Sequence, residues 1–241
     1  MYDIHAHFLV GIDDGPATIE DAIELADAAV QEGITHVIVT PHHHNGMWQN
    51  HKEQVMEKFD QFSQALSDVG NPLVLRPSQE IQIQSYFFDE FNDGQYLSLD
   101  DSGKYYLIEF PWRSYPDYSE PYLQQLVDQG ITPIIAHPER QRAFSEHPER
   151  LERLIDMGCI AQVTATSLVE PTHQRALDAS YQMIRDGLID VIASDAHHVI
   201  ERPHNLNLAY DKIEQTFGED TVKRFKLNAK AIFEGTKIIK E

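Results

Sequence analysis

Residues 132–163, TPIIAHPERQRAFSEHPERLERLIDMGCIAQV, carry the reading on which the fold turns. Thr132–His137 is a short apolar run ending on a histidine. Pro148–Met157 reads as a helix, and Gly158 closes it in the manner of glycine at a helix C-terminus. Cys159–Val163 then returns as a second apolar run. Strands that are parallel and covered on both faces read as continuous apolar runs of this kind rather than as alternating ones.

The same cycle extends in both directions. Toward the C-terminus, His173–Arg185 is a predicted helix closed by Gly187, and Ile189–Ser194 is the last strand, with helical sequence beyond it. Toward the N-terminus, Tyr105–Phe110 is a strand and Glu120–Gln129 a helix closed by Gly130. Leu73–Glu80 reads as a strand followed by a short helix at Tyr86–Phe91. His36–Thr40 is a buried strand, and Val55, Phe59, Phe62, Leu66 and Val69 after it form one helical face. Tyr2–His5 is the first strand, and Thr18 is placed to cap a helix with Ile19, Ala22, Ile23, Ala26 and Val30 on its apolar side. Seven strands separated by helices fit a closed barrel or an open doubly wound sheet. No glycine-rich dinucleotide fingerprint follows the first strand, which disfavours the latter. With no repeat or linker in view, residues 1–241 are expected to be one domain.

Composition narrows the function. Hydrophobic residues make up 41% of the chain, a globular value. The net charge of −20 argues against nucleic acid as a partner, which would require a basic track. That charge would also repel an anionic substrate unless bound cations reverse the local sign. One cysteine, Cys159, allows no internal disulfide. No stretch approaches the ~20 apolar residues of a membrane span. A cytoplasmic location without membrane insertion is expected.

The polar residues fall at the ends of the strands. His5 and His7 close the first, His42 follows the second, and Glu80 ends the third. Glu109 lies near the end of the fourth, His137 ends the fifth, and Asp195 and His197 lie just past the seventh. In parallel barrels the active site forms at this end. A His-x-His pair places both rings on one face of a strand. Glutamates interrupting apolar runs demand compensation, from a metal or from a salt bridge. Asp13-Asp14-Gly15-Pro16 reads either as an ordinary turn leaving the strand or as the source of a further ligand, with Asp14 preferred and Asp13 open. His43, His44 and His51 read as exposed loop histidines. Nine donors with a bridging carboxylate imply two or three ions, and the nitrogen and oxygen set without thiolate suits Mn, Fe or Zn. Such ions generate a nucleophile from water and neutralise charge on a phosphoryl or acyl group. Arg140, in HPER, and Arg202 are placed to grip phosphate, although Arg113 and Arg142 lie nearby. Cys159 has no phosphate loop after it and reads as core; neither a G-x-S-x-G elbow nor a Walker A loop is present. Trp112, Tyr115, Tyr118, Trp48 and Phe8 form either an aromatic rim for a leaving group or packed loops.

His5-Ala6-His7, Thr40-Pro41-His42, His137-Pro138-Glu139-Arg140 and Ser194-Asp195-Ala196-His197 resemble the four motifs of the PHP (polymerase and histidinol phosphatase) superfamily. Within it, IDDGP at 12–16, HHHNGM at 42–47, LIEF at 107–110 and ASDAHH with Arg202-Pro203 resemble the bacterial manganese-dependent protein-tyrosine phosphatases of capsule and exopolysaccharide operons. The resemblance implies an α/β fold, a distorted (β/α)7 barrel with a trinuclear manganese site. By motif position it makes His5, His7, Asp14, His42, Glu80, Glu109, His137, Asp195 and His197 the metal ligands, and Arg140 and Arg202 the catalytic, phosphate-binding residues. It further implies attack by a metal-bound hydroxide on phosphotyrosine in the tail of a bacterial tyrosine kinase. Competing readings are a phosphatase of a small ester such as histidinol phosphate, a PHP nuclease, and a metal-stabilised binding module without turnover.

Overall fold

The computed structural model describes residues 1–170 and 173–240. In chain order the elements are β1 (Tyr2–Ala6), α1 (Ile19–Gln31), β2 (His36–Val39), β3 (His42–His43), α2 (Lys52–Val69), β4 (Val74–Pro77), β5 (Glu80–Gln82), α3 (Phe87–Asn92), β6 (Tyr105–Glu109) and α4 (Ser119–Asp128). They continue with β7 (Thr132–Ala136), a 3-10 turn at Pro138–Arg140, α5 (Arg142–Ser145), α6 (Pro148–Met157), β8 (Ile160–Thr164) and α7 (Ala165–Val169). The last are α8 (Gln174–Arg185), β9 (Val191–Ala193), α9 (Leu206–Phe217) and α10 (Glu219–Phe233). Thr18 caps α1 as expected, in a reciprocal capping box with Asp21.

All strand pairs are parallel, in the orders β1-β2-β4 and β3-β5-β6-β7-β8-β9. The two sheets are one ring. Ser78 N donates to Val39 O and Glu80 N to Pro41 O, which carries the ladder from β2 and β4 into β3 and β5. At the other seam Ala6 bridges Ala196 in parallel, with His7 N donating to Ala196 O at 2.9 Å. The seven staves expected are thus present, but two are broken. Leu73–Glu80 is not one strand, because Pro77 ends β4 and Glu80 opens β5 instead of closing a strand. The second stave likewise resumes as β3 after Pro41, since proline offers no N–H to the ladder.

The inside of the barrel is layered. Ile4, Ile38, Tyr105, Leu107, Ile134, Ala136, Ile160, Val191 and Ala193 fill its lower part, and Ala229, Ile232 and Phe233 of α10 plug it from below. Alternating outward residues, among them Val37, Val39, Ile108, Ile135, Ala161, Val163 and Ile192, face the helices. Cys159 is buried in that shell, as expected, and burial pushes its thiol up to about 12. Phe8 also belongs there: it is fully buried and stacks on Phe62, so it is core and not rim. Among the described residues no helix is long and apolar enough to cross a membrane.

Candidate metal centre

Above the apolar layers, the next inward position of nearly every stave is polar. β1 reaches the site through a slip in its ladder between Asp3 and Ala6: Ile4 joins the interior cluster while His5 and His7 both enter the polar layer. His42 opens β3, Glu80 opens β5 and Glu109 closes β6. His137 follows β7 directly, and Asp195 lies two residues past Ala193 of β9. Both have positive φ, 34° for His137 and 54° for Asp195, a left-handed backbone uncommon outside glycine. Such conformations persist where packing over-determines them, often at functional sites.

The structure brings all nine predicted residues together. His5 Nε2 lies 3.2 Å from His7 Nε2, 3.3 Å from Glu80 Oε2 and 3.4 Å from Asp195 Oδ1. Glu80 sits at the centre, with Oε2 2.7 Å from His42 Nδ1 and Oε1 2.6 Å from His137 Nε2. Asp14 Oδ1 lies between His42 Nε2 at 3.3 Å and His197 Nε2 at 3.1 Å. Ligand atoms within 4.8 Å of one another form three overlapping groups: His7 with Asp14, His42 and His197; His5 with His7 and Glu80; and His42 with Glu80 and Glu109.

These atoms converge without satisfying each other. His42 Nδ1, Glu80 Oε2, Asp195 Oδ1 and His197 Nε2 are buried and make no hydrogen bond of good geometry, although each lies in ion-pair range of a neighbour. Buried polar atoms are almost always paired, so lone pairs aimed at shared points fit cations. Charge agrees. Burial opposes protonation of His42, yet the Glu80 carboxylate, with Asp14, raises its pKa to about 10. Burial and the charge of His7 instead lower His197 to about 4. Burial would raise Glu80, but His5, His42 and His137 hold it well below the ordinary carboxylate range.

A second set of residues orients the first. Asp13 stands behind the cluster, its Oδ2 2.8 Å from His7 Nδ1, and accepts from the backbone N–H groups of His42 and Gly15. Of the Asp13 and Asp14 pair, therefore, Asp14 faces the converging donors. Gln162 Oε1, on β8, accepts from His5 Nδ1 at 3.0 Å, and Asp3 holds Ser194 through its N–H and hydroxyl. Sequence reasoning missed Gln162 and Asp3. A signal existed for Gln162, an amide within the apolar run Cys159–Val163 on the one stave that supplied no charged residue.

Arg140 and Arg202 meet at the same carboxylate. Arg140 Nη1 is 2.5 Å and Arg202 Nη2 3.0 Å from Asp195 Oδ2, and Arg202 Nη1 is 3.0 Å from Asp14 Oδ2. Both guanidinia, with Trp112, line a cavity of about 510 Å³. Neither Arg113 nor Arg142 lines it. Trp112 is exposed and lies parallel to the His137 ring, whereas Trp48 stacks on His42. Tyr115 packs on Phe110 and bonds Glu120, and Tyr118 packs on Tyr122, so those two are packed loop. The expectation of exposed loop histidines fails for His43 and His44, which are buried.

A parallel α/β barrel that gathers histidines and carboxylates at its C-terminal strand ends, with arginines beside them, defines a metal-dependent hydrolase. The chain belongs to the CpsB/CapC family of capsular polysaccharide synthesis, which matches residues 1–234. Tyrosine-protein phosphatase YwqE of Bacillus subtilis (strain 168) is 37% identical over 241 residues, covering 100% of this chain and 94% of the relative. Tyrosine-protein phosphatase CpsB of Streptococcus pneumoniae is 31% identical over 92% of this chain and 93% of its own. Among solved structures, a chain from the work on YwqE and CpsB, there called unique metal-dependent tyrosine phosphatases, superposes with a TM-score of 0.95 at 36% identity, covering 100% of this chain and 97% of that one. A β-aspartyl dipeptidase from Fervidobacterium islandicum AW-1 shares the fold alone, at TM-score 0.54 and 14% identity over 96% of this chain and 72% of that one.

Proposed function

We propose that this protein is a metal-dependent protein-tyrosine phosphatase acting on the phosphotyrosyl tail of a bacterial tyrosine kinase that controls capsular or exopolysaccharide synthesis, in the cytoplasm. The observation that carries this reading is two guanidinia that line a cavity on one side and pair on the other with Asp195, a member of the buried set of imidazole and carboxylate donors.

His5, His7, Asp14, His42, Glu80, Glu109, His137, Asp195 and His197 would hold two or three divalent ions, with Glu80, His7 and His42 shared between the groups. Manganese is the expected metal, and iron or zinc also suits imidazole and carboxylate donors without thiolate. When bound, such ions supply a nucleophile from water at neutral pH and neutralise charge on the phosphoryl oxygens. Asp13 and Gln162 fix the ring orientations of His7 and His5 through their Nδ1 atoms, which leaves Nε2 of each turned to the centre. Arg140 and Arg202 would leave the outer oxygen of Asp195 to fork onto the non-bridging phosphate oxygens, for which planar guanidinium is matched. Trp112, exposed at the cavity wall, offers a flat face to the aromatic ring of the substrate.

The test compares kcat/KM of the manganese-loaded protein on a phosphotyrosyl peptide and on histidinol phosphate. A strong preference for the peptide is expected. Preference for histidinol phosphate would move the substrate to a small phosphomonoester, and bound metal without turnover on either would leave a binding module.

A further inference from the structure

Beside the centre just described lies another group of histidines that it does not use. His42 and His43 are adjacent on β3, and consecutive strand residues point to opposite faces. His42 enters the barrel. His43 therefore points outward, where it is fully buried and meets the Tyr96 ring edge-on. His44 follows with a positive φ of 64°, which folds its ring against that of His43 with centroids 3.8 Å apart. His51, the residue before α2, and Glu90 of α3 close the group.

Three imidazoles surround one oxygen. Glu90 Oε2 lies 3.0 Å from His43 Nε2, 2.5 Å from His44 Nε2 and 3.9 Å from His51 Nδ1. Ligand atoms of His43, His51 and Glu90 all fall within 4.8 Å of one another. A purely hydrogen-bonded knot is a poor account of this arrangement. Glu90 Oε2 can accept from His43 and His44, but His51 Nδ1 is then buried without a partner, too far from the carboxylate to bond it. Donors on a tetrahedral ion with bonds of about 2.0–2.1 Å stand roughly 3.3 Å apart, the middle of the separations seen here.

We propose that His43, His51 and Glu90 form a cation site distinct from the nine-residue centre, taking one first-row divalent ion of the zinc type. Two imidazoles and a carboxylate are three donors, which leaves a position for water. His44 acts as a positioning residue: its Nε2 bonds the Glu90 carboxylate and its Nδ1 lies 3.4 Å from the Tyr86 hydroxyl. The ion would join three pieces of chain that only the tertiary fold brings together, namely β3, the start of α2, and α3. The loop between His44 and His51 carries Trp48, whose ring stacks on His42 at 5.5 Å with a 12° interplanar angle. Occupancy of this outer site would thus fix the loop that abuts the inner one.

The test reads metal, not turnover, so it stands or falls apart from the proposed substrate. Full-length wild type, His51→Ala and Glu90→Gln are loaded with zinc, dialysed and analysed for zinc per chain by mass spectrometry. Each variant is expected to lose one equivalent and retain the rest; equal zinc in all three overturns the site. Wild-type crystals soaked in zinc chloride guard against variants that misfold. An anomalous peak among His43 Nε2, His51 Nδ1 and Glu90 Oε2 supports the proposal, and peaks confined to the nine-residue centre overturn it.

Discussion

Arg140 and Arg202 face the outer oxygen of Asp195, and Arg202 also reaches Asp14, so the groups expected to grip phosphate are held at the donors expected to hold metal. Because a guanidinium donating to the non-bridging phosphoryl oxygens would stabilise their charge in the transition state, Arg140→Ala should lower kcat/KM on a phosphotyrosyl peptide by roughly 10²–10³-fold, as loss of an oxyanion donor does. Lysine at the same position should recover only part of it, since a point charge does not replace a planar fork. An alanine variant as active as wild type would remove Arg140 from the mechanism. His42 makes a second statement at this scale. Burial resists its charge, but Glu80 lifts its pKa to about 10, so in the ion-free protein it carries a proton at pH 8. Binding an ion there must displace that proton. Ion affinity should rise with pH toward about 10. Calorimetry in buffers of different ionisation enthalpy should show at least one proton released per chain at pH 8; heats independent of buffer would contradict the assignment of His42 as a ligand.

The elements deliver these side chains through small irregularities. The slip in β1 turns His5 inward after Ile4, the break at Pro41 starts β3 at His42, and the step at Ser78-Gln79 starts β5 at Glu80. The turn leaving β1 is equally constrained. A Cβ on Gly15 would stand 2.9 Å from Asp13 Oδ1 and 2.9 Å from His7 O, inside any normal contact. Gly15→Ala should therefore push Asp13 away from His7 Nδ1. Loss of a partner behind a metal ligand typically costs about 10–100-fold in metal affinity, the fall expected in a manganese titration of this variant. Affinity equal to wild type would show that the turn can relax without disturbing the ligand.

For the whole molecule, the barrel floor is held by apolar packing, and the top gathers the donors proposed to hold cations. Removing the ions should cost stability in proportion to their binding. At metal one hundred times its Kd the contribution is about 2.7 kcal/mol, which corresponds to roughly 5–10 °C in Tm for a chain of this size. A scanning calorimetry trace unchanged by chelator would argue against ion binding in the folded state. The shell around the barrel makes an independent prediction through Cys159. Burial raises its pKa from 9.0 to about 12. This contribution to stability is complete below about 9 and is lost as pH climbs toward about 12. Native protein at pH 8 should accordingly resist thiol labelling until unfolded in guanidinium, and rapid labelling of the native form would place Cys159 at the surface.

Periodicity and glycine stops made the alternation of strands and helices legible in the sequence, because burial on both faces leaves uninterrupted apolar runs and because helices end where glycine can turn left-handed. The position of polar residues at the ends of those runs, His5 to His197, pointed to one end of a barrel, since parallel strands share a direction. Tertiary structure alone decided which neighbour plays which part. Asp13 and Asp14 are indistinguishable by type, and only packing sets one behind His7 and the other before His42 and His197. By sequence His43 is one of several loop histidines and reads as exposed; the strand pairing with β5 buries it. Gln162 and Glu90 acquire meaning only from partners 157 and 47 residues away in the chain, distances over which no local pattern acts.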